Sequence, residues 1–138
     1  MIDSAIILAA GLGKRMRNFD PVIPKPLIKV NNKPFIQYAI DLLNQIRTKE
    51  IIINVHYKSD EILKFIKNLS QNNIIVSDES DLLLDTGGGI KKIFDKYNIN
   101  KSLVLNSDVI WSDSDKELIV DMINSYPKEA EAFIGCMG

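Results

Sequence analysis

Residues 4–16, SAIILAAGLGKRM, decide the fold of this chain. Ser4–Ala9 is an uncharged, mostly apolar run, which is typical of a strand buried on both faces of a sheet. The small residues after it allow the backbone to approach a ligand closely, and their successive N–H groups can surround an anion. Lys14, Arg15 and Arg17 add positive charge beside this loop. The stretch therefore predicts a buried strand ending in a loop that suits a polyphosphate; the alternative is a tight turn with solvated basic residues.

Predicted strands and helices alternate along the rest of the chain. Further strands are predicted at 51–55, 74–76, 102–105 and 132–137, helices at 34–46, 59–69, 89–97 and 118–123, and a loop at 11–26. This order predicts an α/β fold in a single domain, residues 1–138, with a Rossmann-like, mainly parallel sheet and flanking helices. Ligands of such sheets bind outside the carboxyl ends of the strands, so the loops after the strands are the candidate site.

The composition excludes several other classes of protein. The 138 residues are 46% hydrophobic and 25% charged, as in an ordinary globular domain. The 17 basic and 18 acidic residues leave a net charge of −1, so there is no basic excess for a nucleic acid partner. Cys136 is the single cysteine, which excludes an internal disulfide and a cysteine-based zinc cluster.

No targeting or membrane-spanning segment is apparent in the sequence. The N-terminus has no positively charged region before its apolar run, and no apolar run approaches the ~20 residues that span a bilayer. We therefore expect a cytoplasmic protein without a membrane partner. The frequent Ile, Lys and Asn suit an AT-rich bacterial genome.

The segment Pro24–Leu27 places one lysine between two prolines. The prolines fix the backbone around Lys25 and are expected to exclude a helix there. A lysine held in this way can reach a phosphate with little loss of entropy. The alternative is a rigid surface turn.

Two later loops also have residues suited to a nucleotide. The first is Asp85–Gly89, in which three glycines let a flat base or ribose lie against the backbone before a helix begins; it could equally be a flexible connector. The second follows the strand at 102–105 and contains Asp108, a carboxylate well placed for Mg²⁺ or for capping a turn.

Three further residues have a structural and a functional interpretation. His56 ends a predicted strand and is more typical of a structural hydrogen bond than of a general base. Trp111 is expected to pack rather than to form a stacking platform. Cys136 lies in an apolar run and is expected to be a buried, inert thiol.

The four candidate loops, in the order in which they occur along the chain, resemble those of the nucleoside-diphosphate-sugar pyrophosphorylases. These enzymes are the sugar-1-phosphate nucleotidyltransferases. Leu8–Met16 matches the family pattern L-A-A-G-x-G-x-R-[ML], and Pro24–Leu27 matches P-K-P-[LM]. The segments 54–57, 84–90 and 105–109 are most similar to the branch of N-acetylmuramate-1-phosphate uridylyltransferases, whose members are also named mannose-1-phosphate guanylyltransferases. The resemblance covers residues 2–111 and implies the nucleotide-diphospho-sugar transferase fold.

The resemblance implies a reaction and a set of site residues. A sugar 1-phosphate would attack the α-phosphorus of UTP or GTP, giving an NDP-sugar and pyrophosphate. Gly11, Gly13 and Arg15 would hold the β- and γ-phosphates, Lys25 the α-phosphate or the sugar phosphate, and Asp108 the cofactor Mg²⁺. Arg15, Lys25 and Asp108 are the implied catalytic residues. The implied nucleotide-binding residues are Leu8, Ala9, Ala10, Gly11, Gly13, Lys14, Thr86, Gly87 and Gly88.

The sequence departs from the family pattern in two respects. Ser107 replaces the usual glycine before the metal aspartate. Family catalytic domains are also longer than this chain, and their later part supplies a second metal-binding aspartate. We therefore expect the domain to lack its C-terminal part, and a homodimer or a second chain could complete it.

Three other functions remain open at the level of sequence. One is transfer to a different acceptor, such as choline phosphate from CTP. The second is a non-catalytic module, a remnant of such an enzyme, that binds a nucleotide or a partner. The third, a dinucleotide-dependent dehydrogenase, is disfavoured because Met16 occupies the place of the third glycine in G-x-G-x-x-G.

Overall fold

The computed structural model describes residues 2–9, 24–55, 59–78, 86–97, 99, 102–107 and 109–125. Strands and helices alternate through these segments. The strands are β1 Ser4–Ala9, β2 Lys29–Val30, β3 Lys33–Pro34, β4 Glu50–Val55, β5 Ile74–Asp78 and β6 Leu103–Asn106; the helices are α1 Phe35–Gln45, α2 Ser59–Asn68, α3 Thr86–Tyr97 and α4 Asp113–Ser125, and Lys25–Leu27 forms a 3-10 turn.

The main sheet has four parallel strands in the order β5-β4-β1-β6. The chain passes from β1 outward through β4 to β5, and then returns across the sheet to place β6 on the other side of β1. The direction of winding therefore reverses at β1, between its neighbours β4 and β6. The predicted parallel sheet with flanking helices is confirmed.

Alternate residues of each strand pack into two cores on opposite faces of the sheet. The larger core contains Ile7 and Ile53 with the apolar faces of α1, α2 and α4. The smaller core contains Ile6 and Ile52 with Ile93 of α3. Since the strands are covered on both faces, they are continuous apolar runs rather than alternating ones.

The structure corrects the prediction that the prolines exclude a helix around Lys25. Lys25–Leu27 is a single 3-10 turn, closed by the Leu27 N–H donating to Pro24 O at 2.9 Å and the Ile28 N–H donating to Lys25 O at 3.1 Å. This turn needs N–H donors only from Leu27 and Ile28, so the missing N–H of Pro26 costs nothing.

The structure also corrects the prediction for the glycine-rich segment. Thr86, Gly87 and Gly88 do not precede the helix as a loop; they form the first turn of α3, three residues earlier than predicted. Each glycine disfavours a helix by about 1 kcal/mol relative to alanine. Packing of Ile93 and its neighbours one turn later stabilises the helix and overrides that local cost.

A short hairpin before α1 was not predicted. β2 and β3 pair antiparallel through Asn31 and Asn32, whose φ angles are 53° and 63°. Two successive left-handed residues are characteristic of a type I′ turn, and asparagine tolerates that region better than most residues. The Tyr38 hydroxyl donates to Val30 O at 2.7 Å and ties the hairpin to α1.

The other predicted elements agree with the structure to within a few residues, except that α4 begins five residues earlier than predicted. The predicted strand at 132–137 lies outside the described residues. Within the described segments, no helix is both long and apolar enough to cross a membrane.

Candidate functional site at the carboxyl edge of the sheet

The candidate site lies where the winding of the sheet reverses. β1 ends at Leu8 and Ala9, and its pairing with β6 ends where Leu8 is opposite Asn106. Open α/β sheets have a crevice between strands at such a reversal of winding, and ligands bind there. The predicted phosphate loop and the predicted metal loop are the two that begin here.

The last residue of β1 is held by a side chain from the neighbouring strand. The Ala9 N–H donates to Asn54 Oδ1 at 2.6 Å, and Asn54 is 3% exposed. The carboxamide is therefore shielded from water and directed at the backbone from which the glycine loop departs. In the sequence, Asn54 is recognisable only as part of a family-like segment, and no local pattern indicates this contact.

Lys25 lies beside the N-terminus of α1, on the side of the larger core. Pro24 and Pro26 are both buried, and Leu27 packs against the larger core. The Phe35 N–H donates to Ile28 O at 3.0 Å, which fixes the end of the turn against the start of α1. Because α1 leads to the amino end of β4, its own N-terminus and Lys25 are on the carboxyl side of the sheet.

The first turn of α3 lies on the opposite face at the same edge. α3 follows β5 and leads back to β6, so Thr86, Gly87 and Gly88 are at the carboxyl side. Leu8 and Ile90 pack against the same smaller core, which places this turn over the end of β1. The backbone N–H groups at a helix N-terminus favour an anion or the polar edge of a ligand.

A row of side chains shares this face at the ends of the four strands. The strand register aligns Ser77, Asn54, Leu8 and Asn106. Ser77 is fully buried, and its hydroxyl has no hydrogen-bond partner among the described residues. On this face, three of the four side chains in the last row are polar, whereas the preceding row of side chains is apolar.

The turn after β6 is closed by Trp111. Its indole N–H donates to Asn106 O at 3.3 Å, and the ring is 7% exposed within the larger core. The prediction that Trp111 packs is confirmed. Ser107 is also buried, so the described chain is held at Ser107 and at Trp111, on either side of position 108.

Six predicted site residues lie outside the described residues: Ala10, Gly11, Gly13, Lys14, Arg15 and Asp108. His56 and Cys136 lie outside them as well. The structure brings Leu8 and the turn at Thr86–Gly88 to this edge on the face of the smaller core, and places Ala9 and Lys25 at the same edge on the face of the larger core. In the described segments, no three acidic, histidine or cysteine side chains are grouped as metal ligands.

A polar cleft of about 350 Å³ lies between α1 and the start of α4, away from this face. Lys33 forms an ion pair with Asp41 and lies 4.5 Å from the centre of the Tyr38 ring. The Gln37 amide donates to the same carboxylate at 2.7 Å. The opposite charges of Lys33 and Asp41 on the wall of this cleft are therefore paired with each other.

Comparison with known proteins gives relatives that match most of this chain. The chain is 35% identical over 107 residues to D-glycero-α-D-manno-heptose 1-phosphate guanylyltransferase of Aneurinibacillus thermoaerophilus, covering 78% of this chain and 46% of the relative. It is 35% identical over 111 residues to N-acetylmuramate α-1-phosphate uridylyltransferase of Caulobacter vibrioides, with the same coverage. The chain thus spans about half the length of the curated relatives it matches.

Solved structures show the same fold. CTP:phosphocholine cytidylyltransferase from Streptococcus pneumoniae has a TM-score of 0.62 and 30% identity, with 78% of this chain and 45% of that chain covered. A nucleotidyl transferase from Methanothermobacter thermautotroptrophicus has a TM-score of 0.70 at 18% identity, with coverages of 88% and 57%, and supports the fold alone. The model of the nucleotidyl transferase family matches residues 4–137, and the chain belongs to that family.

Proposed function

We propose that this chain provides the nucleotide-binding half of an enzyme that joins a nucleoside triphosphate to a sugar 1-phosphate. The observation that carries the proposal is the reversal of winding at β1, which brings the ends of β1 and β6 and the first turn of α3 to one edge of the sheet. Family membership and the named activities of the relatives support it.

In this reaction an oxygen of the sugar phosphate attacks the α-phosphorus of the triphosphate. A new phosphorus–oxygen bond forms, the bond from the α-phosphorus to the bridging oxygen breaks, and pyrophosphate leaves with that oxygen. The protein supplies position and positive charge more than covalent chemistry. Lys25, held on its 3-10 turn, would neutralise charge at the α-phosphate, and Arg15 would neutralise the leaving pyrophosphate.

The nucleoside would lie on the α3 side of the crevice. Leu8 offers an apolar surface, and Thr86, Gly87 and Gly88 offer backbone groups close to it. Lys25 lies at the other face, so a triphosphate would extend from the α3 side across the end of β1. The relatives that use GTP and UTP support one of these two bases.

Mg²⁺ is the proposed cofactor, held by Asp108. The residues around Asp108 fit this ion, because Asn106 offers a further oxygen donor at the exposed end of β6 and magnesium usually needs only one or two carboxylates beside the substrate phosphates. When bound, the ion would neutralise phosphate charge and favour the loss of pyrophosphate.

The proposal also includes the place of the enzyme in the cell and the class of product that it makes. Relatives from Caulobacter and Aneurinibacillus support a bacterial, cytoplasmic enzyme that makes precursors of cell wall or surface polysaccharide. The net charge of −1 supports small-molecule substrates over nucleic acid. The chain spans about half the length of these relatives. A homodimer or a second chain that contributes to the sugar site is part of the same proposal.

The first test is thermal unfolding of the chain with UTP, GTP, CTP, ATP and TTP, each with and without Mg²⁺. We expect one triphosphate to stabilise the fold in a magnesium-dependent way, by about 2.7 kcal/mol at a hundredfold excess over Kd. The variant Asp108→Asn should lose the magnesium-dependent part of this shift alone. Pyrophosphate release with candidate sugar 1-phosphates then tests turnover.

The outcomes separate the two candidate functions. Binding with pyrophosphate release supports the transferase. Binding without release for any sugar phosphate supports the non-catalytic module. A cooperative transition that no triphosphate shifts would contradict both.

A further inference from the structure

In the buried part of β4, residues 51–55, a single side chain is polar. Ile51, Ile52, Ile53 and Val55 are all 0% exposed, and Asn54 interrupts them at 3%. An amide buried among such neighbours lowers stability unless it is hydrogen-bonded, whereas valine would suit the strand. The exception to the apolar pattern occurs at the residue opposite the end of β1.

The partner of this amide is the backbone at the exit of β1. Asn54 Oδ1 accepts the Ala9 N–H at 2.6 Å, a short distance for an N–H···O bond. Leu8 is opposite Asn54 in the β1–β4 register, and the β1–β6 pairing does not extend past Leu8. Among the described residues, Ala9 is therefore held from the β4 side, by the Asn54 carboxamide and by its pairing with Val55.

This bond fixes the orientation of the peptide N–H at the end of β1. Ala9 is the last described residue before the predicted phosphate loop at residues 10–13, so this orientation sets the point from which that segment starts. A glycine-containing loop has little preference of its own for one direction. Small misplacements of groups that hold a reacting substrate are costly.

We infer that Asn54 is a positioning residue for the phosphate-binding loop, acting through the Ala9 N–H and not by contact with the substrate. This inference rests on the proposed function, because it names what sets the geometry of the same site. It predicts that losing the carboxamide weakens binding of the β- and γ-phosphates and leaves binding of the rest of the nucleotide unchanged.

The test compares Asn54→Val with Thr48→Val as the matched control. Valine suits a buried strand and removes the acceptor. Thr48 is 5% exposed, precedes β4 at the opposite edge of the sheet, and has a side-chain hydroxyl without a partner among the described residues. Kd is measured for the triphosphate and for the monophosphate of the same base, below the unfolding temperature of each variant.

In the wild-type chain and in Thr48→Val, the ratio of the monophosphate Kd to the triphosphate Kd should be the same. In Asn54→Val we expect this ratio to fall about tenfold or more, because only the triphosphate reaches the loop. A loss of stability without misplacement of the loop would leave the ratio unchanged, and that result would overturn the inference.

A second measurement tests the inference even if the Asn54→Val variant does not fold. Hydrogen exchange of the Ala9 amide in the wild-type chain, followed by NMR, should be slow in the absence of nucleotide. Exchange at the rate of an unprotected amide would show that Asn54 does not hold the loop and would overturn the inference. If the wild-type chain binds no triphosphate, the proposed function fails, and exchange at Ala9 still decides whether Asn54 holds the end of β1.

Discussion

Lys25 is held on a single 3-10 turn between two buried prolines, at the start of α1. Both prolines limit the backbone conformations that the unfolded chain and the folded turn can adopt. The lysine side chain is therefore presented from a rigid base, and it can neutralise a phosphate without first ordering the turn. Lys29, a few residues later, is exposed on β2 and serves as a comparison.

Lys25→Ala should lower kcat/KM for pyrophosphate release by about 10²–10³-fold, because a preorganised charge at the reacting phosphate is lost. Lys29→Ala should leave kcat/KM unchanged, and both variants should unfold at temperatures close to that of the wild-type protein. The measurement is a coupled pyrophosphate assay at saturating and limiting triphosphate. Equal activities in the two variants would exclude a role for Lys25 in the reaction.

Trp111 is a second residue whose contribution to stability and to ligand binding can be measured with a single substitution. Trp111→Phe keeps an aromatic ring in the core but leaves Asn106 O without its donor, so we expect the free energy of unfolding to fall by about 1–3 kcal/mol. The turn that contains Asp108 would then be less well held, and the magnesium-dependent part of triphosphate affinity should fall as well.

Tyr38→Phe is the control for Trp111→Phe, since it removes a hydroxyl donor to Val30 O in the hairpin, away from β6. Urea unfolding followed by circular dichroism, together with calorimetric titration with and without Mg²⁺, separates the two effects. Identical titrations for both variants would show that the indole contributes only to stability.

At the level of elements, the starts of α3 and α4 are specified in different ways. α3 begins with glycines and is stabilised by tertiary packing of its later turns. α4 begins with a local capping box: the Asp115 N–H donates to Ser112 Oγ at 3.3 Å, and the Ser112 N–H donates to Asp115 Oδ2 at 2.8 Å. The start of α4 therefore depends on two residues that are close in sequence.

Ser112→Ala should lower the free energy of unfolding by about 1 kcal/mol, because the N-cap acceptor is lost. Ser114→Ala, an exposed position in the first turn of the same helix, should be neutral or slightly stabilising, since alanine favours a helix. Urea unfolding measures both. If Ser114→Ala were the more destabilising variant, the capping box would not be the feature that stabilises the start of α4.

At the level of the whole molecule, β1 is the centre of the sheet. It is paired along its length with β4 on one side and through Ala5–Leu8 with β6 on the other, and the two cores cover its two faces. In the described sheet, β1 and β4 are the two inner strands, paired on both sides and covered on both faces. The last residue of β1 is the point where this strand meets the segment that is predicted to bind phosphate.

Native-state hydrogen exchange should show the slowest amides at Ile6 and Ile7, which are fully buried, and faster exchange along β5, which lies at one side of the described sheet. Addition of the triphosphate should slow exchange at residues 10–13 and not at β5. Faster exchange in β1 than in β5 would contradict the central role of β1.

The sequence by itself determined the fold class and the place of the site. Buried parallel strands must be apolar on both faces, so the runs at Ser4–Ala9 and Glu50–Val55 were recognisable without a structure. The loops that follow such strands meet at one edge, which is why the roles of Lys25, Arg15 and Asp108 could be proposed from motifs alone. These roles stay predictions, since Arg15 and Asp108 lie outside the described residues.

Only the tertiary structure decided the order of the strands, the helical state of Thr86–Gly88 and the partner of Asn54. The physical reason is the same in each case: the stabilising contact joins residues far apart in the sequence. Asn54 and Ala9 are separated by 45 positions, and no local pattern in either segment records their hydrogen bond. The sequence shows that β4 has a polar residue near its end, and the fold shows that its side chain accepts a hydrogen bond from the last residue of β1.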